Sequence, residues 1–228
     1  ISSEQLDSIV LQNCSYREDP SLFTLVYAYP RISIPIILAV SMALLSLLLG
    51  ILLVHSRKTK EIRVMSETDA LTGLYNRRAA EDHISRQMQE DGKNPDFVRP
   101  LISIDLDKFK QVNDTYGHLE GDALLIAVAD TLRTSVRSYD IVGRIGGDEF
   151  VVYLSNVTDR QNAMAVAEKL CQVIRGLSTM KKEWSNISAS IGISFADHPD
   201  IKMEELYISA DKAMYSAKGN GRDQYQTL

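Results

Sequence analysis

The stretch Ile141-Val-Gly-Arg-Ile-Gly-Gly-Asp-Glu-Phe-Val-Val-Tyr-Leu154 contains two short apolar runs separated by a glycine pair. The runs Ile141–Ile145 and Phe150–Leu154 have the β-branched and aromatic composition of strands, and the Gly-Gly pair supplies the backbone freedom that a tight turn requires. The stretch therefore predicts a β-hairpin that carries two carboxylates, Asp148 and Glu149, at its tip.

The segments around this hairpin alternate between helical and extended patterns. The predicted elements are, in order, helix Asn76–Met88, loop Gln89–Pro100, strand Leu101–Asp105, helix Asp122–Arg137, the hairpin, a helix with the apolar face Ala163 to Ile174, strand Ile187–Phe195 and a helix with the face Leu206 to Ala217. From the first of these strands onward the order is βαββαβα. We therefore predict an α/β domain of the α+β kind, with helices around a central mixed, largely antiparallel sheet.

The run Ile32–Val54 contains 23 residues and no charge. As a helix it would be about 35 Å long, enough to cross a hydrocarbon core of about 30 Å with some tilt. A signal peptide would have a shorter apolar core, of about 7 to 15 residues, at the very start of a chain. Basic residues follow the run at Arg57, Lys58, Lys60 and Arg63. The positive-inside rule then predicts a transmembrane helix over 32–54, with residues 1–30 outside and 55–228 inside.

Two segments flank this predicted span. Leu22–Tyr29 is apolar on both faces and predicts a buried last strand ending at Pro30; its position before a membrane helix resembles the last strand of Cache-type extracellular sensor domains. The segment 55–67 is charged and has no helix breaker, which predicts a helical stalk. The chain does not begin with Met, so we expect it to be the C-terminal part of a longer protein. Cys14 and Cys171 would then lie on opposite sides of the membrane and could not pair with each other.

The charge of the segment from Ser66 onward limits the class of partner. It contains 25 acidic and 19 basic side chains, a net charge of −6. A protein that grips a nucleic-acid backbone would carry a basic stripe instead, so we predict no nucleic-acid partner. A domain with this charge needs a metal ion or a few well-placed cations if it binds a phosphate ligand.

Two pairs of acids lie where a strand ends and where the hairpin turns: Asp105 with Asp107, and Asp148 with Glu149. Neighbouring carboxylates repel each other, so a cluster of them is either solvated or neutralised by cations. Magnesium prefers carboxylate oxygens plus substrate phosphate, and two such ions about 4 Å apart stabilise phosphoryl transfer. The pattern alone leaves two interpretations, surface acids at turns and a metal-dependent phosphoryl-transfer site.

The hairpin tip is one of several sequence blocks in a fixed order. The tip is Gly146-Gly-Asp-Glu-Phe150, and the other blocks are Asp69-Ala-Leu-Thr-Gly-Leu-Tyr-Asn-Arg-Arg78, Asp105-Leu-Asp-Lys-Phe-Lys-Gln-Val-Asn-Asp114, Gly117-His118, Gly121-Asp122, Ser190-Ile-Gly-Ile-Ser194 and Asp211-Lys-Ala-Met-Tyr-Ser-Ala-Lys-Gly-Asn-Gly-Arg222. Together they resemble the GGDEF-domain diguanylate cyclases over residues 66 to 228. The resemblance implies a fold like that of nucleotide cyclases and polymerase palms, with the catalytic domain over 68–228, and no catalytic block departs from the family pattern.

The resemblance implies a metal site and catalytic groups. Asp105 and Asp148 would be the side-chain ligands and the Leu106 carbonyl would assist them, holding two Mg²⁺ or Mn²⁺ ions in each active site. Asp148 would also be the base for the attacking 3′-hydroxyl, with Glu149 as its acidic neighbour. Lys110 would contact the phosphates.

The resemblance also implies residues that bind the substrate GTP. Asn113 and Asp122 would read guanine, because a carboxylate can accept two N–H bonds from the Watson–Crick edge of that base. The other residues implied at the nucleotide are Phe109, His118, Gly146, Gly147, Lys218 and Arg222. Taken without the resemblance, His118 fits a structural loop residue equally well, and Lys218 and Arg222 fit the basic end of a helix.

The activity implied by the family is condensation of two GTP into cyclic di-GMP and two pyrophosphate. One domain holds one GTP, so the two substrates would meet across a homodimer. With the membrane helix, this implies a single-pass protein of the bacterial inner membrane whose cytoplasmic catalytic domain answers an external signal. Two alternatives stay open: a non-catalytic sensor module that binds GTP or cyclic di-GMP, and a membrane nucleotidyl cyclase that acts on one nucleotide.

The segment Arg137-Ser-Tyr-Asp140 precedes the glycine pair at the offset where the family often has an Arg-x-x-Asp site for inhibition by its own product. Arg137 offers a planar fork to a phosphate or a guanine edge, and Asp140 can accept guanine N–H bonds. The alternative is a solvated ion pair without function, worth under about 1 kcal/mol.

Overall fold

The computed structural model of the protein describes residues 30–196, 198 and 200–227. The predicted strand Leu22–Tyr29 and Cys14 lie outside the described residues. The chain divides into two compact units, Ile1–Glu61 and Ile62–Leu228, and each is described by itself.

A single long helix, α1, runs from Pro30 to Glu67. Its part Pro30–Leu52 has a mean hydropathy of 2.6, and none of it is buried inside the structure. The hydroxyls of Ser41 and Ser46 donate to carbonyls one turn back in the same helix, at 2.9 and 2.8 Å. By length and composition this helix can cross a membrane, because its backbone and these hydroxyls find hydrogen-bond partners within the helix.

The second unit is built on six described strands. They are β1 Tyr75–Asn76, β2 Pro100–Asp107, β3 Ile141–Gly146, β4 Glu149–Tyr153, β5 Ser188–Phe195 and β6 Gln224–Thr227. The strands form one sheet in the order β1-β3-β4-β2-β5-β6. The outer pairs β1/β3 and β5/β6 are parallel, and the three inner pairs are antiparallel. The predicted mixed, largely antiparallel sheet is confirmed.

Helices cover both faces of this sheet. They are α2 Arg77–Asp91, α3 Phe109–Tyr116, α4 His118–Ser135, α5 Arg160–Gly176 and α6 Met203–Gly219, with 3₁₀ turns at Leu177–Thr179 and Lys182–Trp184. The apolar faces of α4 and α5 enclose the larger core against the sheet, and those of α2 and α6 enclose a second core on the opposite face. The α/β class predicted from the sequence is confirmed.

Three elements were not predicted, and one helix begins earlier than expected. Helix α3 was not predicted because its eight residues are fewer than a clear helical pattern needs, although Phe109, Val112 and Tyr116 recur at i, i+3 and i+7. Strand β1 has two residues and β6 is the polar edge segment Gln-Tyr-Gln-Thr, so neither shows a strand pattern. The helix predicted to start at Asp122 begins at His118 instead.

The central strand β2 is the element on which the rest of the sheet is aligned. All eight of its residues are buried, and it pairs with β4 on one side and β5 on the other. Its even-numbered residues Ile102, Ile104 and Leu106 belong to the larger core. The strand therefore carries two aspartates, Asp105 and Asp107, to the same end and the same face of a rigid sheet.

Helix α6 lies unusually close to the sheet at Gly192 of β5. A Cβ atom at this position would overlap the carbonyl oxygen of Ala210 and the amide nitrogen of Met214. Nearby, the Ser194 hydroxyl donates to the Leu206 carbonyl at 2.7 Å, which binds the helix to the same strand. The absence of a side chain at Gly192 therefore sets the height of α6 above the sheet, and with it the position of the residues at its C-terminal end.

We predict that Gly192→Ala destabilises the protein by about 3 kcal/mol or more, because the helix backbone cannot yield as a flexible side chain would. Gly176→Ala is the matched control, since the same methyl group meets nothing within 4 Å. Thermal unfolding of the detergent-solubilised chain, followed by circular dichroism, measures both. Equal unfolding temperatures for the two variants would contradict the close approach of α6.

Candidate functional site

The predicted acidic residues Asp105, Asp148 and Glu149 lie together at one edge of the sheet. Asp105 of β2 is paired in register with Glu149 of β4. The Leu106 amide donates to the Asp148 carbonyl at 3.3 Å, which holds the hairpin tip against the end of β2. The hairpin therefore delivers two carboxylates to a third that is fixed on the central strand.

Two carboxyl groups of this cluster, those of Asp148 and Glu149, have raised pKa values. Burial raises the pKa of Asp148, and the charge of Asp105 raises it further. The pKa of Glu149 is raised by burial and then by the charges of Asp105, Asp148 and Asp211. This edge of the sheet thus accumulates negative charge that a cation would relieve.

One cation of the chain already lies in the cluster. The Lys218 ammonium, at the end of α6, is 2.7 Å from the Asp105 Oδ2 atom. Its charge lowers the pKa values of Asp148 and Glu149, against the larger raising effect of their burial. Lys218 is therefore both the counter-ion of the cluster and a group within reach of a phosphate bound there.

The donor set fits hard divalent cations that share their coordination with a ligand. Among the described residues no group of three or more His, Cys, Asp or Glu side chains has the arrangement of a complete metal site. Mg²⁺ is usually held by one or two carboxylates and completed by phosphate oxygens and water. Asp105 and Asp148, two carboxylates of the acidic cluster, match that small set of protein ligands.

Asp107 does not belong to this cluster, although the sequence paired it with Asp105. It is 3% exposed, and both of its carboxylate oxygens accept hydroxyl protons, from Ser188 and Ser190, at 2.7 Å. The Asp223 amide donates to it at 3.1 Å. Its acceptor capacity is thus used by the protein itself, and only one member of the predicted acid pair points to a metal.

The predicted guanine readers lie where α3 meets α4. The Asn113 Oδ1 atom is buried and has no hydrogen-bond partner among the described residues, which is rare for a native protein. A Cβ atom at Gly121 would overlap this Oδ1 atom, so the glycine makes room for the amide. Asp122, which follows Gly121 in α4, is exposed. The orphaned acceptor and the free carboxylate mark a place that hydrogen-bond donors of a ligand can occupy.

The remaining residues predicted at the nucleotide differ in exposure. Phe109 is half-buried at the start of α3, and Lys110 and His118 are exposed. Arg222 is 56% exposed, and its Nε atom is 3.7 Å from the Asp107 carboxylate. Gly146 and Gly147 are exposed at the hairpin tip, where Gly147 has the left-handed φ of +50° that favours glycine.

Arg144 is a site residue that the sequence analysis missed. Its Nε and Nη2 atoms donate to the Gly147 carbonyl at 3.0 and 2.7 Å, and its Nη1 atom donates to the Asp69 carboxylate at 3.0 Å. This planar fork fixes the turn that presents Asp148. The signal available in the sequence was an arginine inside an otherwise apolar strand, two residues before the glycine pair.

Asp69 anchors the other end of this clamp. Its Oδ1 atom also accepts the amide and hydroxyl protons of Thr72, at 2.9 and 2.6 Å, across a turn completed by Gly73 at φ +69°. Burial acts to raise the pKa of Asp69, but the hydrogen bonds from Thr72 and Arg144 outweigh it and hold that pKa below its usual range. The Asp69 turn and the hairpin tip are therefore joined by one ionised contact.

The Arg137–Asp140 segment is a closed turn rather than a simple ion pair. Asp140 accepts the Arg137 amide at 2.8 Å and the Ser155 amide at 3.0 Å, and burial raises the pKa of its carboxyl. The Arg137 guanidinium donates to the Tyr139 hydroxyl at 2.8 Å. Both Arg137 and Asp140 line two grooves of about 430 and 400 Å³. The turn thus places the Arg137 guanidinium beside two grooves that could hold a ligand.

Comparison with known proteins identifies the domain. Residues 66–224 match the family described as the diguanylate cyclase GGDEF domain. The bifunctional diguanylate cyclase/cyclic di-GMP phosphodiesterase MucR of Pseudomonas aeruginosa is 39% identical over 170 residues, which are 75% of this chain and 24% of that protein. The diguanylate cyclase DgcS of Shewanella oneidensis is 34% identical over 175 residues, which are 76% of this chain and 57% of that protein.

A solved structure supports the same assignment. The active GGEEF domain of a diguanylate cyclase from Vibrio cholerae superposes with a TM-score of 0.61 at 30% identity, covering 67% of this chain and 96% of that domain. Fold and sequence together define a diguanylate-cyclase GGDEF domain. The chain belongs to this family. It spans between 24% and 57% of the length of the first curated relatives it matches.

We predict that Asp148→Asn raises the unfolding temperature of the metal-free protein by about 1 to 3 °C at neutral pH, since it removes a charge that the folded state disfavours. A carboxyl with a raised folded-state pKa weakens folding above that pKa, and the penalty disappears as both states become protonated. The gain should therefore shrink as the pH falls through the carboxyl range. Asp130→Asn, on the exposed face of α4, serves as control, and a fall in the unfolding temperature of Asp148→Asn at neutral pH would contradict the strained cluster.

Proposed function

We propose that the protein condenses two molecules of GTP into cyclic di-GMP with release of two pyrophosphates. The observation that carries this proposal is the convergence of Asp105, Asp148 and Glu149 with Lys218 at one edge of the sheet, inside a domain of the diguanylate cyclase family. An acidic cluster with a lysine counter-ion suits a ligand that brings phosphates and metal ions together.

In the proposed reaction the 3′-hydroxyl of one GTP attacks the α-phosphorus of the other, and the step repeats to close the ring. The Asp148 carboxylate accepts the proton of the attacking hydroxyl, with Glu149 as its acidic neighbour. Their raised pKa values favour this role, because a stronger base accepts a proton more readily near neutral pH. Lys218, Lys110 and Arg222 contact the phosphates.

The proposed cofactors are two Mg²⁺ or Mn²⁺ ions, held by Asp105, Asp148 and the Leu106 carbonyl. When bound, they supply positive charge to the phosphates and lower the pKa of the attacking hydroxyl. The Lys218 Nζ atom is 2.7 Å from the Asp105 Oδ2 atom. A bound metal ion and triphosphate would give this ammonium a phosphate oxygen as its partner in place of Asp105.

Guanine is the base that we propose for the substrate. The orphaned Asn113 Oδ1 atom and the exposed Asp122 carboxylate are both acceptors, and the Watson–Crick edge of guanine offers two adjacent N–H donors. Adenine has an unprotonated ring nitrogen at the corresponding place, which would leave a buried acceptor unpaired at a cost of about 1 to 3 kcal/mol. His118 and Phe109 border this pocket in the proposal.

The proposed organisation of the whole protein has four parts. Residues 1–30 end an external sensor module, 32–54 cross the bacterial inner membrane, 55–67 form a stalk, and 68–228 are the cytoplasmic catalytic domain. The apolar part of α1 supports the membrane segment. Each domain holds one GTP, so we propose a homodimer in which an external signal alters how two domains face each other.

The alternatives weighed from the sequence have less support. A non-catalytic module for GTP or cyclic di-GMP needs no cluster of three carboxylates, and in this chain Asp105 of β2 is paired with the hairpin tip that carries Asp148 and Glu149. A cyclase that acts on a single nucleotide would not need a partner domain. Separation of the products made from GTP distinguishes the three functions.

We predict that the wild-type chain, solubilised in detergent with GTP and Mg²⁺, makes cyclic di-GMP and that Asp148→Asn reduces the rate at least about 100-fold. Losing one ligand and base removes several kcal/mol of transition-state stabilisation. Chromatography of the products measures the rate, and Asp130→Asn again serves as the control. Synthesis of cyclic di-GMP by a folded Asp148→Asn protein at the wild-type rate would contradict the proposed role of Asp148.

Product inhibition is proposed for the Arg137–Asp140 turn. The Arg137 fork lies beside the two grooves, where it can meet a phosphate or a guanine edge. Since the turn is separate from the acidic cluster, bound cyclic di-GMP would act by holding domains in an arrangement that does not react, a coupling between two sites.

We predict that added cyclic di-GMP slows the wild-type enzyme and that Arg137→Ala weakens this inhibition at least about tenfold, because a charged contact to the ligand is lost. Progress curves at several product concentrations measure the effect. Arg86→Ala, which removes an exposed arginine of α2 that lines neither groove, is the matched control. Identical inhibition of wild type and Arg137→Ala would show that Arg137 is a surface charge only.

A further inference from the structure

The segment Gly221–Asp223, which follows helix α6, has an unusual backbone. Its three residues have φ angles of +111°, +66° and +50°. Only glycine adopts such angles freely, so Arg222 and Asp223 are held in a conformation that the surrounding structure must impose. Arg222 is at the centre of this left-handed turn.

The buried Asp107 carboxylate is one of the groups that impose it. Its Oδ2 atom accepts the Asp223 amide at 3.1 Å, and its Oδ1 atom is 3.7 Å from the Arg222 Nε atom. The two serine hydroxyls of β5 donate to the same carboxylate at 2.7 Å and leave it little freedom to rotate. The Asp107 carboxylate thus binds a backbone amide of the turn, and its negative charge faces Arg222.

A second group holds the turn from the opposite side. The Arg175 guanidinium of α5 donates to both carboxylate oxygens of Asp223, at 2.9 and 2.7 Å, and to the Asp223 carbonyl at 3.2 Å. The Arg222 amide donates to the Ala217 carbonyl at 3.0 Å, which ties the turn to the end of α6. The turn is therefore fixed by contacts to β2, α5 and α6 together.

These contacts leave the Arg222 side chain free at its outer end. It is 56% exposed, whereas the side chain of Asp107 is 1% exposed. Along the same face of β2, Asp105 contacts Lys218 and Asp107 faces Arg222, so two neighbouring aspartates each orient one basic residue. Asp105 is available to other cations, but Asp107 has its acceptors filled by the protein.

We propose that Asp107 is a positioning residue for substrate binding: it fixes the left-handed Gly221–Asp223 turn and thereby holds Arg222 where it contacts the triphosphate. The proposal rests on the proposed function, in which Arg222 is a phosphate contact. Asp107 itself touches neither metal nor nucleotide. Its effect reaches the substrate only through Arg222, and that dependence can be measured.

The test compares Asp107→Asn, Arg222→Ala and the double variant in the full chain, solubilised in detergent with Mg²⁺ and a fluorescent GTP analogue. Asp107→Asn keeps the shape of the side chain but loses the charge. We expect each single variant to raise the Kd about tenfold and the double variant to raise it no further, because both changes remove the same contact. Asp130→Asn is the control and should leave the Kd unchanged.

Hydrogen exchange at the Asp223 amide gives a second readout. We expect it to become at least about tenfold faster in Asp107→Asn, since its acceptor is weakened. A merely structural role would lower the unfolding temperature without changing the Kd, or would multiply the effect of Arg222→Ala in the double variant. Either result overturns the proposal.

A further variant covers the case in which Asp107→Asn does not fold. Arg175→Ala removes the other hold on Asp223 from a side chain that is 48% exposed. It should raise the Kd several-fold in the wild-type background and not in Arg222→Ala. An unchanged Kd in Arg175→Ala would overturn the fixed turn. A wild-type chain that binds the analogue but makes no cyclic di-GMP would contradict the proposed function alone, whereas no binding at all would contradict both.

Discussion

The mutual repulsion of three carboxylates at one edge of the sheet is the constraint around which the domain is arranged. Burial raises the pKa values of Asp148 and Glu149, and the charge of Asp105 raises both of them further. Such a cluster persists only if its backbone supports are rigid. The fully buried β2 supplies that rigidity on one side, and the Arg144 clamp on the Gly147 carbonyl supplies it on the other. The close seating of α6 on Gly192 then places Lys218 against Asp105.

The residues that stabilise the domain are therefore different from those that carry its proposed chemistry. The two apolar cores lie on the faces of the sheet and contain the large buried side chains. The acidic cluster and the orphaned Asn113 acceptor lie at the edge of the sheet, and both lower the free energy of unfolding. A ligand that brings metal ions, phosphates and N–H donors removes each of these penalties, so the same features that cost folding free energy contribute to binding.

Much of the architecture could be predicted from the sequence, and the parts that could not have a common physical reason. The apolar strands and the hairpin were predicted from their composition, and Asp105 was found because an acid follows the apolar run of Leu101–Ile104, although β2 continues to Asp107. Helix α3 was missed because it is only eight residues long, and strand β6 because its four residues Gln-Tyr-Gln-Thr are mostly polar. The Asp69 contact of Arg144 and the separation of Asp107 from Asp105 depend on partners more than 70 residues away in the chain, Asp69 for Arg144 and the two β5 serines for Asp107. An arginine inside an apolar strand was a local signal for the clamp, but no local pattern could reveal these distant partners.

The clamp on the hairpin tip has a consequence for how such domains vary. Arg144 donates two hydrogen bonds to a main-chain carbonyl, that of Gly147, and none of its hydrogen bonds goes to the side chain of Asp148 that follows. A longer acid at position 148 would leave the same carbonyl in place. The Vibrio cholerae domain, which has GGEEF at this position, is such a natural exchange. The hydrogen bonds that hold the turn therefore do not depend on the length of its first acid.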